Sequence, residues 1–134
     1  MNMLLGRLDP AREQLLEAMD LHHAAGTRRG TAAVLVNLGT LHQRERRLEQ
    51  AERRLQDAAM IYRQLADRAG EASALGYLAL VQRLTARPDE ALRTARSALG
   101  LLRGSGDAHA EALVLTSLGA VRHRAHQTRL AVAY

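Results

Sequence analysis

His123 and His126 stand three residues apart, a spacing that sets two imidazoles on one side of a helix, where they could share a metal ion. No third histidine, cysteine or nearby carboxylate completes the set, and the chain contains no cysteine at all. His22 and His23 are adjacent, so on a helix they point apart. No Ser/His/Asp set, phosphate-binding loop or inward pair of carboxylates stands out. The sequence is therefore read as non-enzymatic, with no metal and no cofactor.

The arginines are the next candidates. All 19 basic residues are arginine, set against 14 acidic ones for a net charge of +5. Glu45, Arg46, Arg47, Arg53 and Arg54 make the densest run, which one reading turns into a nucleic-acid patch. That reading lacks interleaved aromatics and meets acidic neighbours at Glu49, Glu52 and Asp57. Helix-end electrostatics and solubility account for the run more simply. Arginine in place of every lysine suits the codon bias of a GC-rich bacterial genome.

The elements that must position such residues are helical. Apolar residues make up 47% of 134, with no Phe, no Trp and three Tyr, so alanine and leucine dominate. Such a composition favours close-packed helices over sheet, which prefers β-branched and aromatic residues. The length suits one domain or a piece of a longer array. Disulfides are excluded, no apolar run approaches the ~18 residues of a membrane span, and the first residues hold too short an apolar stretch for a secretory signal. A cytoplasmic location is the expectation.

Asp9 and Pro10 mark a helix entry, followed by a stripe at Ala11, Leu15, Ala18 and Leu21. Gly26 and Gly30 bracket a polar turn. Helices are then expected over about 31–46, 49–65, 70–85, 89–103 and 108–126, with Gly70 opening the third of these. Pro88 breaks the chain before the fourth and Asp107 caps the fifth. Residues from Thr128 onward read as the start of a further helix.

These helices repeat. Leu35, Leu38, Gly39 and Ala51 return forty residues later as Leu75, Leu78, Ala79 and Ala91, and again as Leu115, Leu118, Gly119 and Ala131. Ala11, Leu15 and Ala18 fall forty residues before Ala51, Leu55 and Ala58. Small residues at fixed places imply helices that approach closely, Gly39 of one helix meeting Ala51 of the next. The chain is read as an all-α, stacked helical repeat. Its parts are a half repeat over 9–26, repeats over 30–66 and 70–104, and a partial repeat over 108–134.

The pattern resembles the tetratricopeptide repeat (TPR): a large apolar residue, Leu-Gly three positions on, and a small residue twelve after the glycine. The match runs along nearly the whole chain but with a period of 40 instead of the usual 34. His42, Gln82 and Arg122 stand where the family carries an aromatic. The resemblance implies a right-handed superhelix of antiparallel hairpins. Long, Ala/Arg-rich units of this kind look like the TPR arrays of bacterial SARP-type and LuxR-type transcriptional regulators.

In such a stack the first helix of each hairpin lines a concave, partner-binding face. Carried onto this sequence, those positions are Val36, Thr40, Gln43 and Arg44, then Ser73, Leu80, Arg83 and Leu84, then Thr116, His123 and Arg124. The resemblance implies an apolar floor with an arginine rim, suited to an amphipathic or acidic peptide or helix. The lysine and asparagine clamp with which some TPR domains hold a chaperone's C-terminus is absent, since Val36, Thr40, Thr116 and Ala120 occupy its places. At the ends, Leu15 at one and Leu115, Leu118 and Val121 at the other are expected to lie partly uncovered, which implies either a fragment of a longer array or self-association through those ends.

The function expected is a protein-interaction scaffold, serving as a sensor or assembly module of a bacterial transcriptional regulator. The alternative is a nucleic-acid-binding helical repeat working through its arginines.

Overall fold

A computed structural model describes residues 10–19, 27–85 and 87–133. Asp9, Leu21 and Gly26 lie outside them, as do Ala86 and the side chain of Ala131. Among the described residues every regular element is helical: α1 (10–19), α2 (Arg28–Arg44), α3 (Leu48–Gln64), α4 (Arg68–Gln82), α5 (Pro88–Leu101) and α6 (Ala108–Ala133).

The period of 40 is set at the turns. After α2, Arg46 takes a left-handed conformation with φ 63°. Its amide and that of Arg47 donate back to the carbonyls of Gln43 and His42 at 3.0 and 2.8 Å. Ala66, with φ 57°, closes α3 the same way, with bonds of 3.0 and 2.9 Å to Arg63 and Tyr62. This pairing of a left-handed residue with two back-turned amides satisfies carbonyls at the helix end and reverses the chain within three residues. Asp67 then starts α4, its Oδ1 accepting from the Gly70 amide at 2.9 Å. So α4 begins at Arg68, ahead of the Gly70 start read from sequence.

The second unit reaches the same period with shorter helices and longer connections. Pro88 sits in the first turn of α5, where no amide is needed. Gly104 and Gly106, both at φ 72°, shape the next connection, and Asp107 caps α6 through the Ala110 amide at 2.9 Å.

Packing follows chain order. α2 lies on α3, α3 on α4 and α4 on α5, while α6 rests against α4 and α5 together. Alanines at 51, 58, 91, 95 and 98 are wholly buried. They bury little area each, so cohesion comes from how closely the helices approach. Gly39 shows the device: a Cβ placed there would stand 2.6 Å from Leu55 Cγ. The three atoms nearest that Cβ all belong to Leu55, while Ala51, which sequence pairs with Gly39, packs with Leu55, Leu78 and Val81.

Two further expectations need correction. α6 does not stop at His126; it runs unbroken to Ala133. His126–Arg129 holds neither proline nor glycine to break it. The non-glycine reversal at Arg46 is offset by the burial of Leu55 and Ala58 as α3 folds back. Leu118 and Val121 are not uncovered either, at 4% and 1% exposure, because they pack against Ala79, Ala91 and Ala95 of the preceding hairpin. Leu115 is 48% exposed, as expected of an end.

Candidate protein-binding groove

The first helices of successive hairpins, α2, α4 and α6, do not pack evenly. At Gly76 on α4 an added Cβ would stand 3.4 Å from Ser117 Oγ and 3.5 Å from Val114 Cγ2 of α6. Small residues at this crossing bring α4 and α6 together. Forty residues earlier Val36 takes the place of Gly76, and Tyr77 of α4 takes the place of Ser117. Both pack against the cluster around Leu55 and Leu78. These larger side chains hold α2 off α4, and the two helices barely meet.

The gap is an open cleft of about 630 Å³. Thr40, Gln43 and Arg44 of α2 line one side and Tyr77 and Leu80 of α4 the other, with Arg46 after α2 and Arg83 and Leu84 after α4 at the end. Six of the sequence-derived positions, Thr40, Gln43, Arg44, Leu80, Arg83 and Leu84, thus come together. Val36 and Ser73 instead line a neighbouring recess of about 430 Å³, beside Tyr62, Asp67, Asp107 and His109. Thr116, His123 and Arg124 are exposed on α6 and line neither space. Sequence reasoning missed Tyr77 and Arg46. Tyr77 is one of three tyrosines in a chain without Phe or Trp, a signal that was available.

A family model described as the tetratricopeptide repeat matches residues 30–104, the two hairpins that build this cleft. The chain belongs to the tetratricopeptide repeat family. TPR repeats generally mediate contacts between proteins and form a non-catalytic scaffold. A crystal structure of BtubC (BKLC) from P. vanneervenii is similar with a TM-score of 0.76 at 23% identity, over 96% of this chain and 54% of that one. This chain therefore spans about half the length of that structure, and at such identity the likeness is one of fold. No curated protein matches the sequence.

The TPR aromatic position is polar here, and each substitute is handled differently. His42 is buried with its Nδ1 3.5 Å from Glu45 Oε1, and Glu45 itself pairs with Arg12 of α1. Burial pushes the His42 pKa below its usual value, aided by the positive charges of Arg12, Arg54 and Arg47. Gln82 is buried and donates to Glu90 Oε1 at 3.4 Å. Arg122 is exposed.

Some arginines elsewhere in the TPR stack are tied to carboxylates. Arg87 donates to Glu52 at 2.5 Å and Glu90 at 3.1 Å, tying the α4–α5 turn to α3. Arg29 donates to Asp67 Oδ2 at 3.2 Å. The cleft arginines are not so tied among the described residues, nor are exposed ones such as Arg53 and Arg93. Among the described residues Arg44, Arg46 and Arg83 have no carboxylate partner, and the Arg83 Nε is buried without a hydrogen bond. The Glu45–Arg54 run does not form one patch: Glu45 is inward, Arg46 is in the cleft, Arg54 lies beside His42 and Arg53 is exposed on α3. Among the described residues no group of three His, Cys, Asp or Glu could hold a metal, and no helix is long and apolar enough to cross a membrane.

Proposed function

We propose that the α2–α4 cleft binds a protein segment that carries apolar side chains beside at least one carboxylate. The observation that carries this is the pairing of an apolar lining, Tyr77, Leu80 and Leu84, with Arg44, Arg46 and Arg83, which have no acidic partner among the described residues. A buried guanidinium edge without an acceptor, as at Arg83, is satisfied best by a ligand oxygen, and charge-assisted bonds of that kind are the stronger ones. The apolar lining supplies the area, and the arginines set orientation and select against basic partners. In this reading the module senses or assembles proteins within a bacterial transcriptional regulator, in keeping with its long, Ala/Arg-rich units, and it acts in the cytoplasm.

Fluorescence anisotropy with a labelled amphipathic peptide of Leu and Glu, against its Leu and Lys counterpart, tests the reading. The acidic peptide should bind and the basic one should not. Arg83→Glu should weaken binding about tenfold or more, as loss of a charge-assisted contact implies. Equal binding of both peptides, or indifference to Arg83→Glu and Leu80→Glu together, would overturn it. A steep fall of affinity for single-stranded DNA with salt would instead favour the nucleic-acid alternative.

A further inference from the structure

Successive hairpins open on the same aspartate, and only one of the two is paired. Asp67 caps α4 through Oδ1, and its Oδ2 accepts from Arg29 Nε of the preceding hairpin at 3.2 Å. Asp107 holds the same register and caps α6 in the same way, through the Ala110 amide at 2.9 Å. Here the place of Arg29 is taken by Ala69. Among the described residues no basic side chain pairs with Asp107.

Open space stands where the guanidinium would be. Ala69 and Asp107 both line the recess of about 430 Å³, which Asp67 shares and no arginine lines. Asp107 is half-buried there. With one oxygen committed to the cap, its carboxylate keeps acceptor capacity for a cation. An aspartate at a helix start is by itself only a cap. The vacated arginine place beside it is a separate sign of a ligand, because Arg29 on Asp67 shows what this geometry holds.

The recess and the α2–α4 cleft lie end to end on one face. Along α2, Ala33 and Asn37 line the recess while Thr40 and Arg44 line the cleft; along α4, Ser73 lines the recess and Leu80 the cleft. Steps of three, four and seven residues keep to one side of a helix. Ala69 and Arg83 stand fourteen positions apart, about 21 Å at 1.5 Å per residue. The groove is therefore acidic at one end and basic at the other.

We propose that this groove takes a segment charged at both ends. A lysine or arginine of the segment seats against Asp107, where Ala69 leaves room, and its carboxylate lies about 21 Å away among the cleft arginines. That separation matches about six residues of extended chain or about fourteen of helix. The proposal rests on the peptide-binding reading of the cleft and adds a direction, since the segment lies one way along α4. The recess shares no lining residue with the cleft, so each end can be altered by itself.

Anisotropy titrations with labelled peptides on one apolar spine test this. One peptide carries Glu at one end alone; two others add Arg about six or about fourteen residues from the Glu. Wild-type protein should bind one of the Arg-bearing peptides about threefold or more tighter than the Glu-only peptide, as a partly exposed ion pair implies. Asp107→Asn, which keeps a capping oxygen, should erase that gain and leave the Glu-only affinity unchanged. Ala69→Arg, which copies Arg29, should do the same by filling the vacated place, so the outcome does not hang on one variant's folding. With the Glu-only peptide bound, a gain within about twofold for both Arg-bearing peptides, or a gain that survives both variants, would overturn the proposal and leave the peptide-binding reading standing. Failure of every peptide to bind would sink both.

Discussion

Leu55 fills the space that a side chain at Gly39 would need, its Cγ standing 2.6 Å from where a Cβ would be. Gly119 holds the same repeat position with nothing around it. Alanine should therefore have opposite effects at the two glycines. Gly39→Ala should destabilise by about 1–3 kcal/mol through overpacking. Gly119→Ala should stabilise by about 0.5–1 kcal/mol through helix propensity alone. Urea denaturation at low protein concentration measures both, and equal signs would show that the hairpin contact is not what fixes Gly39.

Asp67 serves two helices at once. Oδ1 caps α4 at the Gly70 amide while Oδ2 accepts from Arg29 on α2. Asp67→Ala should cost about 1–2 kcal/mol, mostly as the lost cap. Asp67→Asn keeps an accepting oxygen and forfeits only the partly exposed ion pair, which should cost about 0–1 kcal/mol. Thermal unfolding of the pair of variants separates cap from charge.

Ala66 adopts φ 57° without glycine's freedom. A left-handed non-glycine residue costs about 1–2 kcal/mol, so Ala66→Gly should stabilise, less the entropy that glycine adds to the unfolded chain. The expected net gain is about 0.5–1 kcal/mol, a rise in Tm of a few degrees at this chain length. A lower Tm would mean that the Ala66 methyl packs usefully.

His42 should make stability depend on pH. Its folded pKa lies below the usual 6.5 because burial and neighbouring arginines oppose its protonation. Between the folded and unfolded values the unfolded chain binds more protons. Stability is therefore fully present above pH 6.5 and declines as pH falls below it. Comparing urea midpoints at about pH 7.5 and pH 5.5 should show the decline in the wild type, and His42→Gln, which copies the residue at 82, should remove part of it. An unchanged slope in His42→Gln would assign the decline to other groups.

Much of this was legible in the residues. The recurrence at 40 is a local property: Leu38, Leu78 and Leu118 are buried alike because the same helix face meets the same neighbour. Pro88 and Asp107 fix helix starts through backbone chemistry that sequence states outright. Helix ends at Arg46 and Ala66 were harder to place, because no glycine marks them and their left-handed turns are held by packing of the returning helix.

The cleft was legible only as a set of positions. The resemblance to the TPR pattern assigned Thr40, Arg44, Leu80 and Arg83 to one face. It could not assign the width of the gap, which depends on Val36 and Tyr77 packing against the Leu55–Leu78 cluster between α2 and α4 while Gly76 meets Ser117 across α4 and α6. Repetition within the chain determined the helices, their order and the hairpin register. Tertiary contact decided which pairs of helices close up, which stand apart, and that α6 runs straight where earlier units turn. Periodicity is a property of one helix, whereas spacing comes from the summed volumes of two residues far apart in the chain.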